Sequence, residues 1–425
     1  MKQRVDLGTI KQFFSGFLKR QFGDRKRLFI FIVVAVLLLI NLILDVSMKK
    51  TIGNLPQYLL ADRWSEDERM AQISIYATED QQIDEDNIKR FEYQLEKKLI
   101  ESGVTDPDVD EKESGKKVID TIGIDEMNKE PLEEEITYRE RKGVRKLFSV
   151  GYCAQCQVTL SFENRTAENA AAIGVGGDFF LFHPMTFVTG GPFSGEDLMK
   201  DYLVIDEDLA WQLFGSSDII GECVDISGIP HYIVGVVKKE TGKIAKASGL
   251  NKSYVYMSYD SLSRYGKILS GRTATRDISE DGATAQIGGI NCIEVICPNP
   301  VNGLAAKVCR ESLGINEEFV SVIDDTDRFS FFSLIAVLRS FGTRSMWSKA
   351  IFYPYWENMA RGYEDILASM LFIRIICILI SVILFVISIV NAYRKKTWTV
   401  RSVVRYLSDK KYDLEAEHKL RKQRN

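Results

Sequence analysis

Two long apolar runs, one towards each end of the 425-residue chain, are the strongest constraint on how it folds. They span residues 28–44 and 371–390. At about 1.5 Å rise per residue they form helices of roughly 26 and 30 Å, and the hydrocarbon core of a bilayer is about 30 Å thick. The sequence therefore predicts transmembrane helices over 28–47 and 370–391, with a large domain over 48–369 between them.

Charge is distributed unevenly around these runs. The chain has 55 basic and 59 acidic residues and a net charge of −4, but residues 1–27 carry 8 basic against 2 acidic side chains, and residues 391–425 carry 11 against 4. The positive-inside rule places both basic ends in the cytoplasm and the acidic middle outside the cell membrane. Because the basic clusters flank the membrane helices and do not cover the domain, they argue against nucleic-acid binding.

The segment before the first run, 1–27, has apolar residues three or four apart, with basic residues between them. The apolar residues are Leu7, Ile10, Phe13, Phe14, Phe17, Leu18 and Phe22. This spacing predicts an amphipathic helix that lies on the inner face of the membrane and binds anionic lipid. A helix packed on a partner subunit is the alternative. A cleaved signal peptide is disfavoured, because 27 residues precede the run and no A-x-A-like site follows it.

The middle region alternates short strand-like and helical patterns. A strand at 74–78, a helix at 86–102 closed by Gly103, and a strand at 157–162 form one predicted unit. A second unit has a strand at 293–296, a helix at 301–313 and a strand at 319–323. Residues 104–142 hold 13 acidic and 7 basic side chains and few large apolar ones, which indicates a solvated insertion. The predicted fold class is therefore α+β.

The stretch 178–237 carries a distinctive order of short motifs. They are Asp206, Leu209-Ala210, Leu213-Phe214-Gly215, Asp218-Ile219-Ile220-Gly221, Ile226 and Tyr232-Ile233-Val234-Gly235-Val236-Val237. This order resembles the periplasmic core domain of MacB/FtsX-type ABC transporter permeases, where a helix ending in LFG precedes a D-x-x-G turn, a strand, and a strand ending in V-G-V-V. The aromatic segment 179–193 is similar to that family's upstream strand and G-x-x-F turn.

The resemblance implies an extracytoplasmic domain of two small mixed α/β subdomains held between two transmembrane helices. Family permeases have four spans, so a two-span chain is expected to need a second permease-like subunit or to form a homo-oligomer. The implied function is a non-catalytic permease-like subunit that couples a cytoplasmic ABC ATPase to efflux or mechanotransmission. The alternatives are a membrane-anchored binding or sensor module without transport, and a decayed truncated permease.

The basic tail, 392–425, contains a segment similar to the part of these permeases that meets the ATPase. The residues that the resemblance assigns to coupling are Arg405, Leu407, Lys410, Lys411 and Leu414. Ser408 stands where the family usually has Gly, and Val400 where it tends to have Glu. A tail held by anionic lipid is the alternative interpretation.

The sequence has no pattern that would carry enzymatic chemistry. It contains no G-x-x-x-x-G-K-[ST], H-E-x-x-H or G-x-S-x-G motif, and His183, His231 and His418 are scattered. We therefore expect no catalytic residues, no cofactor and no metal site.

Six of the seven cysteines belong to the predicted outside domain, where disulfides persist. Cys153 and Cys156 form a C-x-x-C, but a strand-like pattern follows it, whereas a thioredoxin-like site begins a helix. Cys292 and Cys297 have the wrong spacing for a zinc site. We interpret these four as candidate disulfide cysteines, with free buried thiols or a redox or metal site as alternatives. Six cysteines allow 15 pairings, so the sequence assigns none.

One charge of each sign lies at the outer end of the predicted membrane helices. Asp45 is 18 residues beyond Arg27, and Arg374 is 20 residues before Arg394, so both lie about 27–30 Å from the basic inner edges. We predict that Asp45 and Arg374 pair and fix the rotation of the two helices, with Asn41 bonding across the same contact. Separate snorkelling of each charge to the headgroups is the alternative.

Overall fold

The computed structural model describes residues 25–64, 69–104, 147–195, 197–277, 284–344, 346, 349–394, 408 and 412. The chain divides into two compact units, one made of Thr51–Ala368 and the other of Met1–Lys50 with Ser369–Asn425. The predicted amphipathic helix before residue 25 and nearly all of the predicted insertion, 104–142, lie outside the described residues.

Two helices of the described chain are long and apolar enough to cross a membrane. Their membrane-compatible stretches are Leu28–Gly53 and Tyr355–Asn391. The first belongs to helix α1, Arg25–Gly53, and the second to the last helix, Tyr355–Arg394, whose residues up to Ala368 belong to the domain. Both helices extend beyond the apolar runs seen in the sequence, since helical geometry continues into the flanking polar residues.

The domain contains eight further α-helices among its described residues, most of them short. They are α2 Leu60–Trp64, α3 Glu85–Glu101, α4 Phe179–Phe182, α5 Glu207–Leu213, α6 Lys243–Ala245, α7 Tyr259–Tyr265, α8 Leu304–Leu313 and α9 Phe331–Ser340, and the last helix, Tyr355–Arg394, is α10. Single 3₁₀ turns occur at Pro56–Tyr58 and Glu317–Phe319, and Lys246–Leu250 is a π-helical turn.

Thirteen strands alternate with these helices in the described residues. They are β1 Met70–Ala77, β2 Ser149–Phe162, β3 Arg165–Gly177, β4 Phe187–Gly190, β5 Tyr202–Asp206, β6 Cys223–Ile226, β7 Ile229–Val237, β8 Tyr254–Ser258, β9 Lys267–Ile268, β10 Thr273–Asp277, β11 Thr284–Gly288, β12 Cys292–Pro298 and β13 Val320–Asp324. The mixture of strands and short helices confirms the predicted α+β class.

All strands except β10 and β11 join one mixed sheet, in the order β13-β1-β12-β2-β3-β8-β5-β7-β4. Strand β6 pairs with both β2 and β7, so the pairings β2-β3-β8-β5-β7-β6 return to β2 and close a ring of six strands. Strands β12, β1 and β13 extend the sheet from β2. The two halves expected from the sequence are therefore this ring and this extension, which share one sheet.

The first strand–helix–strand unit forms as the sequence predicts. Asp84 caps α3 by accepting from the Asn87 main-chain N–H at 2.9 Å, and the Asn87 side chain accepts from the Asp84 N–H in return, which is a capping box. The apolar face of α3, including Leu95 and Leu99, is fully buried in the main core of the domain. This amphipathic pattern explains why the helix could be found from the sequence.

The segment carrying the LFG motif also folds as expected. The Asp206 side chain accepts from the Leu209 N–H at 2.8 Å and caps α5, and Gly215 follows the helix with φ of +74°, which favours glycine. The hairpin turn between β6 and β7 consists of Ser227 and Gly228, both with positive φ.

Candidate functional site

The most distinctive polar feature of the described domain is a buried network of charges around Arg328, four residues beyond β13. The Arg328 nitrogens Nη1 and Nη2 donate to the two carboxylate oxygens of Glu357 at 2.7 and 2.9 Å. Nη1 also donates to Asp325 Oδ1 at 2.9 Å, and Nε donates to Glu364 Oε1 at 2.5 Å. All four side chains are buried, so one guanidinium holds three carboxylates away from water.

Two further arginines complete the network from its more exposed side. Arg361 Nε donates to Glu357 Oε1 at 2.9 Å, and Arg344 contacts the Glu364 carboxylate. Glu357, Arg361 and Glu364 are spaced four and three residues apart on α10, which puts them on one face of that helix. Arg344 also pairs with Asp365 at 2.7 Å, so three arginines face four carboxylates and the formal charge of the group is −1.

The pKa values of two carboxylates in the network shift in opposite directions. Burial raises the pKa of Asp325 to about 7, although Arg328 opposes the shift. Burial alone would also raise the pKa of Glu357, but the charges and hydrogen bonds of Arg328 and Arg361 together lower it. Asp325 is therefore the member that changes charge near neutral pH, while Glu357 stays ionised.

Strand β1 joins this network to the sheet. Ser74 Oγ donates to Asp325 Oδ2, and the Tyr76 hydroxyl donates to Glu357 Oε2 at 3.4 Å. Ser74 and Tyr76 are two residues apart on the strand and so point to the same face. Both side chains are almost fully buried, so β1 contacts Asp325 and Glu357 through hydrogen bonds that are shielded from water.

A second buried pair lies on the neighbouring strand. Glu294 of β12 is the register partner of Ser74, and its Oε2 is 2.5 Å from Nε2 of His183. The His183 ring packs against both Phe179 and Trp356, with ring centroids 4.5 and 4.4 Å away. Buried polar groups therefore occur on two adjacent strands, β1 and β12.

The arrangement is suited to anchoring. Each carboxylate of the network pairs with an arginine, and Ser74, which donates to Asp325, is almost fully buried. Within the described residues, no group of three or more His, Cys, Asp or Glu side chains is placed to hold a metal ion. Through its ion pairs and hydrogen bonds, the network connects the beginning of α10 to strand β1 and to the segment after β13.

In the other unit, the structure brings the two predicted membrane charges together. Asp45 Oδ1 is 2.8 Å from Arg374 Nη2, and Asn41 Nδ2 donates to the main-chain oxygen of Arg374 at 3.4 Å. Lys49 Nζ is 3.1 Å from the other Asp45 oxygen, and the Met48 sulfur is 3.6 Å from Arg374 Nη1. That this pair fixes the rotation of the helices stays a prediction.

The other predicted site residues have different outcomes. The coupling residues Arg405, Leu407, Lys410, Lys411 and Leu414 lie outside the described residues; of that segment Ser408 and Tyr412 are described, and both are helical. The candidate disulfide cysteines are all free thiols in the structure, with Cys153 and Cys156 in β2 and Cys292 and Cys297 in β12.

Sequence reasoning missed the Arg328 network because its members come from separate segments. The sequence shows three charges on one helical face just before an apolar run, at Glu357, Arg361 and Glu364. Such a pattern usually indicates a solvent-exposed helix surface. No local pattern indicated that this face is buried, since its partner Arg328 belongs to an irregular segment and Ser74 lies 251 residues from Asp325.

The comparisons with known proteins agree with this architecture. The family model for the MacB-like periplasmic core domain matches residues 66–288, slightly more than half of the chain. The macrolide export ATP-binding/permease protein MacB of Shigella dysenteriae is 30% identical over 103 residues, which cover 24% of this chain and 15% of that protein. The MacB of Chromobacterium violaceum is 30% identical over 93 residues, 21% of this chain and 14% of that protein.

Two solved structures also align with the chain. One is the periplasmic region of MacB from Actinobacillus actinomycetemcomitans, with 14% identity, a TM-score of 0.31, and coverage of 46% of this chain and 75% of that one. The other is the extracellular domain of the noncanonic ABC-type transporter YknZ from Gram-positive bacteria, with 13% identity, a TM-score of 0.32, and coverage of 59% and 99%.

Proposed function

The chain belongs to the family of MacB-like periplasmic core domain proteins, and from this membership we propose that it is a permease-like subunit of an ABC transporter. In this proposal the chain catalyses no reaction itself. A separate cytoplasmic ATPase supplies the energy, and the extracytoplasmic domain uses the resulting movement for efflux or for mechanotransmission to an envelope partner.

The observation that carries the proposal is the family match at 66–288 between two helices able to cross a membrane. The matched relatives are named ATP-binding/permease proteins, and the matched segments cover 15% or less of their length. The present sequence has no P-loop motif, whose glycine-rich backbone and lysine would be needed to bind ATP phosphates. In this proposal a separate ATPase subunit binds and hydrolyses the ATP.

The buried network suits a protein that transmits force. Glu357 and Glu364 lie on the same helix as Arg374, which pairs with Asp45 of α1. A buried charge that loses its partner is left uncompensated, which is strongly destabilising. Separating α10 from Arg328 would therefore cost a large free energy. We propose that movement of α10 is passed through Arg328 and Asp325 into strand β1.

The proposal also assigns partners and topology. Both termini are cytoplasmic, the tail residues Arg405, Leu407, Lys410, Lys411 and Leu414 contact the ATPase, and the basic segments bind anionic lipid. The chain acts with a second permease-like subunit or as a homo-oligomer.

Co-purification tests the proposal directly. The full chain is extracted from its native membranes in mild detergent, and the proteins bound to it are identified and quantified. We expect a stoichiometric ABC ATPase with the wild type and its loss from the double variant Leu407→Asp, Leu414→Asp, because a charge at each position removes the apolar contact. The matched control is Leu407→Met, Leu414→Met, which keeps the apolar surface and should retain the ATPase.

Two results would count against this function. If the wild type brings down envelope proteins and no ATPase, the chain is a binding or sensor module. If the ATPase binds equally to the wild type and the Asp variant, the tail does not couple the two proteins.

A further inference from the structure

Four buried cysteines form two neighbouring pairs that share strand β12. We propose that Cys153 with Cys292 and Cys297 with Cys309 become two disulfide bonds of the mature extracytoplasmic domain. Neither pairing follows from the sequence, because six cysteines allow 15 pairings. The inference is independent of the transport function proposed above.

The first pair lies across two adjacent antiparallel strands. Cys153 of β2 and Cys292 of β12 are register partners, and both side chains are almost completely buried in the cluster that contains Tyr76 and Trp356. Directly opposed residues of antiparallel strands have Cα atoms about 4.5–5.5 Å apart. A disulfide spans Cα separations of about 4.4–6.8 Å, so this pair meets its main geometric requirement.

The second pair connects the sheet to a helix. Cys297 is five residues from Cys292 on β12 and therefore points to the opposite face, into the main core. Cys309 lies on the buried face of α8, and both cysteines belong to the same hydrophobic core cluster. Both side chains are completely buried.

Disulfides between cysteines that lie close together in the sequence do not fit the strand geometry. Cys153 and Cys156 are three residues apart on β2, which at about 3.3 Å per residue separates their Cα atoms by roughly 10 Å. Cys292 and Cys297 are farther apart still, and both separations exceed the limit of about 7 Å for a disulfide. Cys156 instead bonds its own segment, with Sγ donating to the Gln157 carbonyl at 3.2 Å, and Cys223 is partly exposed on β6.

Formation of each bond removes two protons and two electrons from a thiol pair. The acceptor we propose is the disulfide of an extracytoplasmic thiol–disulfide oxidoreductase, which is reduced to a dithiol as the S–S bond forms by two successive exchanges. Burial and the neighbouring Cys153 thiol raise the pKa of Cys292, and the Cys297 thiol and burial raise that of Cys309. Few thiolates exist once the core has closed, so oxidation belongs to the folding phase.

Peptide mapping tests the pairing. Isolated membranes are denatured in acid, free thiols are blocked with N-ethylmaleimide, and the unreduced chain is digested with trypsin and a glutamate-specific protease. Cleavage after Glu294 separates Cys292 from Cys297. We expect one linked pair containing Cys153 and Cys292 and one containing Cys297 and Cys309, with Cys156 and Cys223 alkylated. A Cys153–Cys156 or Cys292–Cys297 link, or alkylation of all six, overturns the proposal.

Thermal stability of the purified full chain gives a second readout. Because each disulfide constrains the unfolded chain, we expect a reductant to lower the Tm of the wild type by roughly 5–15 °C. The variant Cys156→Ser should respond to reductant as the wild type does, and a variant with Ala at all four paired positions should not respond. The proposal is wrong if mapping finds all six thiols alkylated. An unchanged wild-type Tm in reductant would then confirm that the bonds do not exist.

Discussion

At the scale of single residues, we expect the titration of Asp325 to make the stability of the domain depend on pH. Its pKa is raised by burial to about 7 in the folded domain, whereas an unfolded Asp titrates near about 3.9. Between these values the folded state binds the extra proton, so the stability that Asp325 contributes is complete below about pH 4 and is lost as pH rises through 7. The slope reaches about 1.4 kcal/mol per pH unit.

We therefore expect the Tm of the wild type, relative to that of Asp325→Asn, to fall as pH rises from about 5 to about 8, because the neutral amide does not titrate. Tm is measured on the detergent-solubilised full chain at each pH. Asp260→Asn is the matched control, since Asp260 is an exposed carboxylate paired with Arg264 at 3.0 Å. A difference between wild type and Asp325→Asn that is constant with pH would show that Asp325 is already ionised in the folded domain.

Arg328 is the residue on which the network depends most. Replacing it with Met keeps much of the volume but leaves Asp325, Glu357 and Glu364 without their shared partner in a buried place. We expect Arg328→Met to cost about 3–5 kcal/mol, against about 0–1 kcal/mol for Arg264→Met at an exposed pair. Denaturant titration of both variants makes the comparison, and equal effects would mean that the network contributes no more than a surface pair.

At the scale of elements, the two membrane helices offer a test of pairing. Asp45→Arg and Arg374→Asp should each lower the Tm of the solubilised protein, and the double variant should recover it, because the swapped charges can pair again. Lys49→Gln is the control, since Lys49 also approaches Asp45 but is largely exposed. Two silent single variants, or a double variant equal to their sum, would identify independent anchors.

The sequence predicted best those elements whose signals are local. Helices α3 and α5 have capping side chains and β12 is a run of apolar residues, so α3 and β12 were found to within two residues at each end, whereas the predicted strand 74–78 covers only the second half of β1. Strand β3 was missed because Arg165–Gly177 is rich in alanine and glycine and lacks an alternating apolar pattern. It is held by its partners β2 and β8, and such long-range pairing is invisible in a window of local sequence.

At the scale of the whole molecule, membrane helices and family could be inferred from the sequence, while the anchoring site could not. Apolar length and flanking charge are properties of contiguous residues. Arg328, by contrast, acquires its role when the chain brings β1, the segment after β13 and the beginning of α10 together. The pairing of Cys153 with Cys292 has the same origin, since it requires the register of two strands that are far apart in the chain.

The orientation of the chain in the membrane is the last prediction, and labelling of introduced cysteines decides it. Leu198 is 99% exposed in the domain and Ser408 is exposed in the tail, so a cysteine at either position is accessible to a maleimide. In a Cys223→Ser background, a membrane-impermeant maleimide should label Leu198→Cys in intact spheroplasts. It should label Ser408→Cys only after permeabilisation, because the positive-inside rule predicts a cytoplasmic tail. Labelling of Ser408→Cys in intact spheroplasts would place the tail outside and remove it from reach of any cytoplasmic ATPase.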